Sequence, residues 1–297
     1  MLRRLRKTLF WLYGHLLPGR AARAFERAIL IPRSPVGAGR ALPLPPGGTP
    51  VRVPYGDGTL AAHVWDGSAA SRGTVLLVHG WGSSMSRLAG FVGPLTAAGY
   101  RVVAYDHPAH GASDGKRTTM LQCADALHHL GRRLGPIDVV IGHSFGGPTA
   151  ALAGTKGLPY RGLVMLASPL DMIQQTIDAG VMLGIPRHVA ERMARELAQR
   201  LAVDWTELET DRLVGQLGVP ILVVHDRHDP IVPFREGEAI AAAARHGRLM
   251  ATEGLGHRDL LSDPQVQRLV VSFVNETAQP APARPRRAAR KHSADHA

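Results

Sequence analysis

The chain has 297 residues, a length that suits one large α/β core, and 45% of them are hydrophobic, which favours a folded protein over a disordered one. Its formal net charge is +11, but residues 1–40 carry +8 and residues 278–297 carry +4, so residues 41–277 are close to neutral. Binding of an acidic polymer needs basic residues clustered on a folded face, so this distribution argues against a nucleic-acid partner.

The N-terminal segment combines basic and apolar residues. Arg and Lys dominate positions 3–7, and an apolar run, TLFWLYGHLL, follows at 8–17. This run is shorter than the roughly 20 residues that span a bilayer, and no small-residue cleavage site follows it, so we expect neither a transmembrane helix nor a signal peptide. Leucines at helical spacing predict an amphipathic helix. Two interpretations stay open: packing on the protein's own body, or peripheral contact with anionic lipid, with Trp11 and Tyr13 at headgroup level.

After a Pro- and Gly-rich link at 34–50, the predicted elements alternate between strands and helices. Val51–Tyr55 and Leu60–Trp65 predict a hairpin around Asp57-Gly58. Short apolar runs then predict buried parallel strands, with crossover helices between them. The runs are Val75–His79, Val102–Asp106, Val139–Ile141, Leu163–Ala167, Ile221–His225 and Leu249–Thr252, and the helical stretches are Ser86–Ala98, Met120–Leu134 and Gly146–Lys156. Such alternation predicts an α/β fold with its site at the carboxyl ends of the strands.

The interval between Ala167 and Ile221 is too long for one crossover. Helical composition at Pro186–Leu201 and Trp205–Leu217 predicts a small helical cap that arches over the strand ends. The last twenty residues are rich in Pro, Ala and Arg and predict a disordered tail. We expect an N-terminal helical arm and linker at residues 1–48 and a core in two parts, at 49–167 and 218–277. The cap at 168–217 lies between the two parts of the core, and the tail is 278–297.

The segment Gly142-His143-Ser144-Phe145-Gly146 has the G-x-S-x-G pattern of a serine nucleophile. An apolar run precedes it and an Ala-rich helical run follows, and a tight turn between strand and helix forces the serine into a strained conformation that exposes its hydroxyl. Glycines flank the turn because neighbouring chain segments pass close by. His143 is the variable residue of the motif, and we expect it to line the site.

A serine hydroxyl needs a base to take its proton, and the base needs a carboxylate to hold its tautomer. His257 follows the last predicted strand, and this position selects it among the fifteen histidines of the chain. Two aspartates, Asp226 and Asp229, follow the strand before it. We favour Asp229 because it lies further out on the loop, before a Pro-Ile-Val-Pro run, whereas Asp226 at the strand end suits a capping role. The order Ser144, Asp229, His257 suits a serine hydrolase of α/β type.

The tetrahedral intermediate of such a reaction needs two amide donors for its oxyanion. One is expected from Phe145, the residue after the serine. The other is expected from Trp81 in the loop His79-Gly80-Trp81-Gly82-Ser83, where glycines let the backbone turn toward the substrate.

Five segments together resemble the α/β-hydrolase superfamily, particularly its esterase, lipase and serine-aminopeptidase-like branches, from about Val75 to Phe273. They are VLLVHGWGSS, VVAYDHPAHGAS, VVIGHSFGG, ILVVHDRHDPIVP and GLGHRDLL. The resemblance implies an eight-stranded, mostly parallel sheet flanked by helices, a variable cap and hydrolysis through an acyl-enzyme. In the second segment Ala109 replaces the first glycine of the D-x-x-G-x-G-x-S turn, which is a structural turn.

The leading hypothesis is therefore hydrolysis of small-molecule carboxylic esters by Ser144, His257 and Asp229. Hydrolysis of amides, peptides or thioesters on the same triad stays open, as does a catalytically silent binding protein on the same fold. The cluster of His225, Asp226, His228 and Asp229 fits this triad better than a metal site, and no nucleotide motif occurs, so neither metal nor cofactor is expected. Because Cys123 is the single cysteine, no intramolecular disulfide forms, and we expect a cytoplasmic setting. The N-terminal helix is the one candidate for contact with the inner face of a membrane.

Overall fold

A computed structural model of the protein describes residues 2–32, 43–67 and 71–278. The predicted tail beyond Ala278 and residues 34–42 of the predicted link lie outside the described residues.

Eight strands form one sheet. They are β1 (Thr49–Tyr55), β2 (Gly58–Trp65), β3 (Thr74–Val78), β4 (Arg101–Tyr105), β5 (Val139–His143), β6 (Gly162–Leu166), β7 (Ile221–Asp226) and β8 (Gly247–Thr252). Their order is β1-β2-β4-β3-β5-β6-β7-β8. Strand β2 pairs antiparallel with both β1 and β4, and every other pairing is parallel. The predicted α/β-hydrolase fold, with its mostly parallel eight-stranded sheet, is confirmed.

The first hairpin turns one residue earlier than its sequence indicated. Tyr55 already pairs with Gly58, so the two loop residues are Gly56 and Asp57 instead of Asp57 and Gly58. Gly56 has a φ of 55°, which a glycine adopts without steric cost at the first central position of a hairpin turn. The prediction missed this because both Gly-Asp and Asp-Gly suit two-residue turns.

Ten helices connect and cover the strands in the described part of the chain. They are α1 (Leu2–Leu16), α2 (Pro18–Ile29), α3 (Val92–Ala97), α4 (Met120–Leu134), α5 (Gly146–Thr155), α6 (Met172–Met182), α7 (Arg187–Leu201), α8 (Thr210–Gln216), α9 (Phe234–Ala243) and α10 (Pro264–Ala278), with 3₁₀ turns at Met85–Phe91, Trp205–Leu208 and Asp259–Leu261. A capping box starts α4, because the side chains of Thr119 and Gln122 each accept a hydrogen bond from the other residue's backbone amide.

Alternate residues of the central strands enter two different cores. Leu76 of β3 faces the side covered by α4, α5, α8 and α9, where it joins Leu127 in one buried cluster. Val75 and Leu77 face the other side, where α3 and α10 contribute to a second cluster that includes Phe273. A strand buried on both faces is the arrangement that a parallel sheet requires.

A third core lies among helices α2, α6 and α7, apart from the sheet. Phe25 of α2 is buried there, and its ring contacts Gly180 of α6 so closely that a β-carbon on that glycine would be 2.6 Å from it. Glu26 forms a two-pronged ion pair with Arg200 of α7. The N-terminal helices therefore pack with the helices that lie between β6 and β7.

Candidate active site

Ser144 lies on the turn that joins β5 to α5. Its φ is 51°, a left-handed conformation that costs a residue with a side chain about 1–3 kcal/mol. The next strand holds the turn, because the Ser144 amide donates a hydrogen bond of 2.8 Å to the carbonyl oxygen of Leu166. A strained turn at the carboxyl end of a parallel strand is the setting in which the G-x-S-x-G pattern presents its serine.

Glycines make this turn possible because other backbone segments pass close to it. A β-carbon at Gly146 would overlap the carbonyl oxygen of Val78 at the end of β3. One at Gly142 would lie 2.5 Å from the amide nitrogen of Gly147. Real β-carbons do not approach other atoms this closely. A larger residue at position 146 would therefore force the start of α5 away from β3, and one at position 142 would force α5 away from β5.

Asp229 and His257 are in direct contact. His257 Nδ1 donates a hydrogen bond of 2.7 Å to Asp229 Oδ2, and both side chains are buried or nearly so. The other carboxylate oxygen of Asp229 accepts the amides of Ile231 and Val232, at 2.8 and 3.0 Å, which fixes the direction of the carboxylate. With its proton on Nδ1, neutral His257 has an unprotonated Nε2 that can accept a proton.

The surroundings of Asp229 keep it ionised. Burial of the carboxyl raises its pKa, but the hydrogen bond and charge of His257 and the two loop amides outweigh burial, so the pKa lies below its ordinary value. An ionised carboxylate beside Nδ1 would stabilise the imidazolium that forms when His257 takes a proton.

His143 connects the serine turn to the His257 loop. Its Nε2 donates a hydrogen bond of 2.9 Å to the carbonyl oxygen of His257, and the two rings lie 5.0 Å apart. Burial lowers the pKa of His143 to about 3, so the ring is neutral at physiological pH. The structure therefore brings His143 into contact with His257, while the expectation that His143 lines the substrate stays a prediction.

Asp226, the competing aspartate, accepts other hydrogen bonds. Its Oδ1 accepts the amide of His228 at 2.9 Å, and its Oδ2 accepts the Thr252 hydroxyl at 2.8 Å and the Leu255 amide at 2.9 Å. These bonds tie the end of β7 to the loop that carries His257. Burial raises the pKa of Asp226, but the hydrogen bonds outweigh it and lower the pKa.

The loop after β3 brings Trp81 next to Phe145. Their rings meet edge to face with centroids 5.1 Å apart, and Gly82, with a φ of 65°, turns the chain. Within the described residues, neither the amide of Trp81 nor that of Phe145 donates a hydrogen bond to a carbonyl or side chain. The loop passes close to the serine, because a β-carbon on Gly80 would be 3.3 Å from Ser144 Cβ. The oxyanion role of the two amides stays a prediction.

Three buried histidines hold this loop, and the sequence analysis did not identify them. His79 donates from Nδ1 to the Gly80 carbonyl at 2.7 Å and accepts the His107 amide at Nε2. His110 accepts the Gly82 amide at Nε2, 3.1 Å away, and donates from Nδ1 to the carbonyl of Pro108. His107 donates from Nε2 to the His79 carbonyl and accepts the hydroxyl of Tyr105 at Nδ1. Each ring both donates and accepts, which only a neutral imidazole can do.

The pKa values of these histidines agree with neutral rings. Burial lowers the pKa of His79 and of His110 to about 4, and it lowers the pKa of His107 well below its ordinary value. The sequence did contain one signal for this cluster. His79 and His107 each follow a buried strand by one or two residues, and the carboxyl ends of these two strands, β3 and β4, are neighbours in the sheet.

No group of three or more His, Cys, Asp or Glu side chains arranged to hold a metal ion occurs within residues 2–32, 43–67 and 71–278. The expectation that the protein uses neither metal nor cofactor stays a prediction.

Known proteins resemble this chain in sequence and in structure. The model of the alpha/beta hydrolase family matches residues 75–267. A lysophosphatidylserine lipase ABHD12 from Danio rerio is 24% identical over an alignment 209 residues long, which covers 61% of this chain and 52% of that protein. A monoacylglycerol lipase from Mycolicibacterium smegmatis is 24% identical over an alignment 253 residues long, which covers 71% of this chain and 89% of that protein. This chain spans about half the length of the ABHD12 relatives that it matches.

Solved structures show the same architecture. Esterase RhEst1 from Rhodococcus sp. ECU1013 superposes with a TM-score of 0.59 and 18% identity, covering 78% of this chain and 99% of that one. At this level of identity the likeness concerns the fold alone.

Proposed function

Because this chain belongs to the alpha/beta hydrolase family, we propose that it hydrolyses carboxylic esters through an acyl-enzyme, with Ser144 as nucleophile, His257 as general base and Asp229 as its acid partner. The observation that carries the proposal is the 2.7 Å hydrogen bond from His257 to the ionised Asp229. It leaves His257 Nε2 as the acceptor, on a loop that His143 ties to the strained serine turn.

The reaction would follow from this arrangement in two halves. His257 Nε2 takes the proton of the Ser144 hydroxyl as its oxygen attacks the ester carbonyl, and the imidazolium then protonates the leaving alcohol. Water, deprotonated by the same nitrogen, attacks the acyl-enzyme. The bond to the Ser144 oxygen then breaks as the imidazolium returns the proton to that oxygen, and the carboxylic acid leaves. In both tetrahedral intermediates the amides of Trp81 and Phe145 would bind the oxyanion, and such a donor contributes about 10²–10³-fold to kcat.

The substrate class rests on the relatives and on the loop. Two kinds of relative are named lipases, for lysophosphatidylserine and for monoacylglycerol, and both names denote cleavage of esters that carry an acyl chain. Beside the two amides lie the apolar rings of Trp81 and Phe145. The relatives' names favour an ester over an amide or a thioester, and the rings favour an apolar acyl group.

We further propose that the helices between β6 and β7 form the cap, with the N-terminal arm as part of it. The core shared by α2, α6 and α7 supports this extension. Helix α8 differs, because Leu213 and Val214 enter the core on the sheet. We therefore place the end of the cap before Thr210 instead of at residue 217.

Hydrolysis of p-nitrophenyl esters from acetate to palmitate, by the wild type and by Ser144→Ala, tests the proposal. We expect turnover on the wild type and a loss of about 10⁴-fold or more in kcat on the variant. Matched thioester and anilide substrates serve as controls for the leaving group. Full turnover by Ser144→Ala would exclude Ser144 as nucleophile, and turnover of thioesters or anilides without esters would exclude the ester assignment.

A further inference from the structure

Helix α1 exposes most of its apolar side chains. Among residues 8–17 only Gly14 is buried, although the segment is mostly apolar. The exposed large side chains are Leu9, Phe10, Trp11, Leu12, Tyr13, Leu16 and Leu17, with exposed fractions from 36% to 75%. Packing on the body of the protein, the first interpretation of this helix, therefore accounts for Gly14 and leaves these side chains in contact with solvent.

A second exposed apolar group lies beside this helix. Val181, Met182 and Leu183, at the end of α6, are exposed by 37%, 75% and 62%. The turn that follows them contacts α1, because a β-carbon at Gly14 would be 2.7 Å from the ring of Pro186. The rings of His15 and His188 are 5.0 Å apart at the same contact. Residues 9–17 and 181–183 thus flank one contact, and we call them together the apolar surface.

The apolar surface holds most of the exposed apolar side chains that the structure describes. Ten of the thirteen large hydrophobic side chains that are exposed within the described residues belong to it, the others being Ile231, Leu249 and Met250. Exposed apolar residues scattered singly are ordinary, whereas a contiguous patch marks a place of interaction.

Charge and aromatic content indicate what covers the surface. Four basic residues, at positions 3, 4, 6 and 7, precede the apolar part of α1, and residues 1–40 hold nine basic residues against one Glu. Basic residues followed by exposed apolar ones complement a bilayer surface, where anionic headgroups lie above hydrocarbon. Trp11 and Tyr13 carry apolar rings with polar atoms, which suit the boundary between the two. No helix among the described residues has the length and apolar character to cross a bilayer.

We propose that the apolar surface of α1 and the end of α6 docks on the surface of a lipid bilayer that contains anionic headgroups. Helix α1 lies in the plane of the interface, and the end of α6 enters it alongside. Helix α1 contacts Pro186 and Val189 at Gly14, and α6 and α7 share the third core, so the two groups face the bilayer together. This binding is independent of ester hydrolysis.

Flotation of the full chain with lipid vesicles tests the proposal. Phosphatidylcholine vesicles with and without phosphatidylglycerol are compared at low and high salt, for the wild type and for Leu16→Ser combined with Met182→Ser. Both side chains are 75% exposed, so their replacement does not disturb the core. Met250→Ser, at a 40% exposed methionine on β8, is the matched control. Melting curves by circular dichroism establish that all variants are folded.

We expect the wild type and Met250→Ser to float with the anionic vesicles, and a smaller fraction of each to float at high salt. We expect the double variant to bind these vesicles at least about tenfold more weakly than the wild type. Equal flotation of wild type and double variant would overturn the proposal, as would absence of wild-type flotation. Light scattering decides whether a second copy covers the surface. A wild-type dimer that becomes a monomer in the double variant, with no change in flotation, would also overturn it.

Discussion

Asp226 and Asp229 lie three residues apart, yet their carboxylates accept hydrogen bonds from different parts of the chain. Asp229 accepts a hydrogen bond from the side chain of His257. Asp226 instead accepts the hydroxyl of Thr252 and the amide of Leu255, and these bonds fix the loop that precedes His257. From this difference we infer a catalytic role for Asp229 and a structural role for Asp226.

Replacing each aspartate by asparagine separates the two roles. In Asp229→Asn the neutral amide no longer stabilises the imidazolium or enforces the Nδ1–H tautomer, so we expect kcat for ester hydrolysis to fall about 10³–10⁴-fold with little change in melting temperature. In Asp226→Asn we expect the free energy of unfolding to fall by about 1–3 kcal/mol with kcat changed severalfold at most. The reverse pattern would make Asp226 the partner of His257.

The sequence was sufficient to select Ser144, His257 and Asp229 as candidates, because a short motif and loop order single them out. The same sequence did not reveal that His143 donates to the His257 carbonyl, or that His110 accepts the Gly82 amide. Both bonds join residues far apart in the chain, and their donors and acceptors depend on tautomers that only the folded surroundings fix.

At the scale of elements, the ends of β3 and β4 and the loops that follow them are stabilised by three histidines that must stay neutral. Their pKa values are lowered in the folded chain, to about 4 for His79 and His110, whereas an unfolded histidine titrates near 6.5. As the pH falls below about 6.5 the unfolded chain takes up protons that the folded chain does not, so the folded state loses stability until about pH 4. Stability from this source is fully present above pH 6.5.

His110→Gln tests this pH dependence, since glutamine does not titrate and its amide oxygen can still accept the Gly82 amide. Urea unfolding between pH 7 and pH 4 gives the free energy of unfolding at each pH. The slope of this free energy against pH should be steeper for the wild type than for the variant, by about 1.4 kcal/mol per pH unit within the titrating range. His246→Gln, at an exposed histidine, is the control and should keep the wild-type slope. Equal slopes for wild type and His110→Gln would contradict the neutral cluster.

Secondary-structure elements were the most predictable feature. Buried strands gave continuous apolar runs, and α4 begins and ends at the residues expected, because Thr119 caps a run of clear helical period. Helix α2 was not predicted, since its buried face consists of Ala21, Ala22, Phe25 and Glu26 between arginines and gives little apolar signal. Its partner surface on α6 and α7 exists only in the folded chain.

The order of the strands in the sheet and the distribution of charge are properties of the whole molecule. The alternation of strands and helices predicted a parallel sheet but not that β3 lies between β4 and β5, which is what brings the Trp81 loop beside the Ser144 turn. That order depends on tertiary packing, to which local sequence patterns are insensitive. The basic N-terminal segment agrees with the proposed bilayer-binding surface, whereas the nearly neutral body argues against a nucleic-acid partner.

Covalent labelling with a fluorophosphonate tests whether the folded chain activates Ser144 as a nucleophile. A fluorophosphonate reacts when the serine oxygen bonds to phosphorus and fluoride leaves, so the adduct marks an activated serine. We expect one adduct by intact mass, located on the peptide that contains Ser144, absent in Ser144→Ala and much slower to form in His257→Ala. An adduct on another serine, or ester hydrolysis without any adduct on Ser144, would exclude Ser144 as the activated nucleophile.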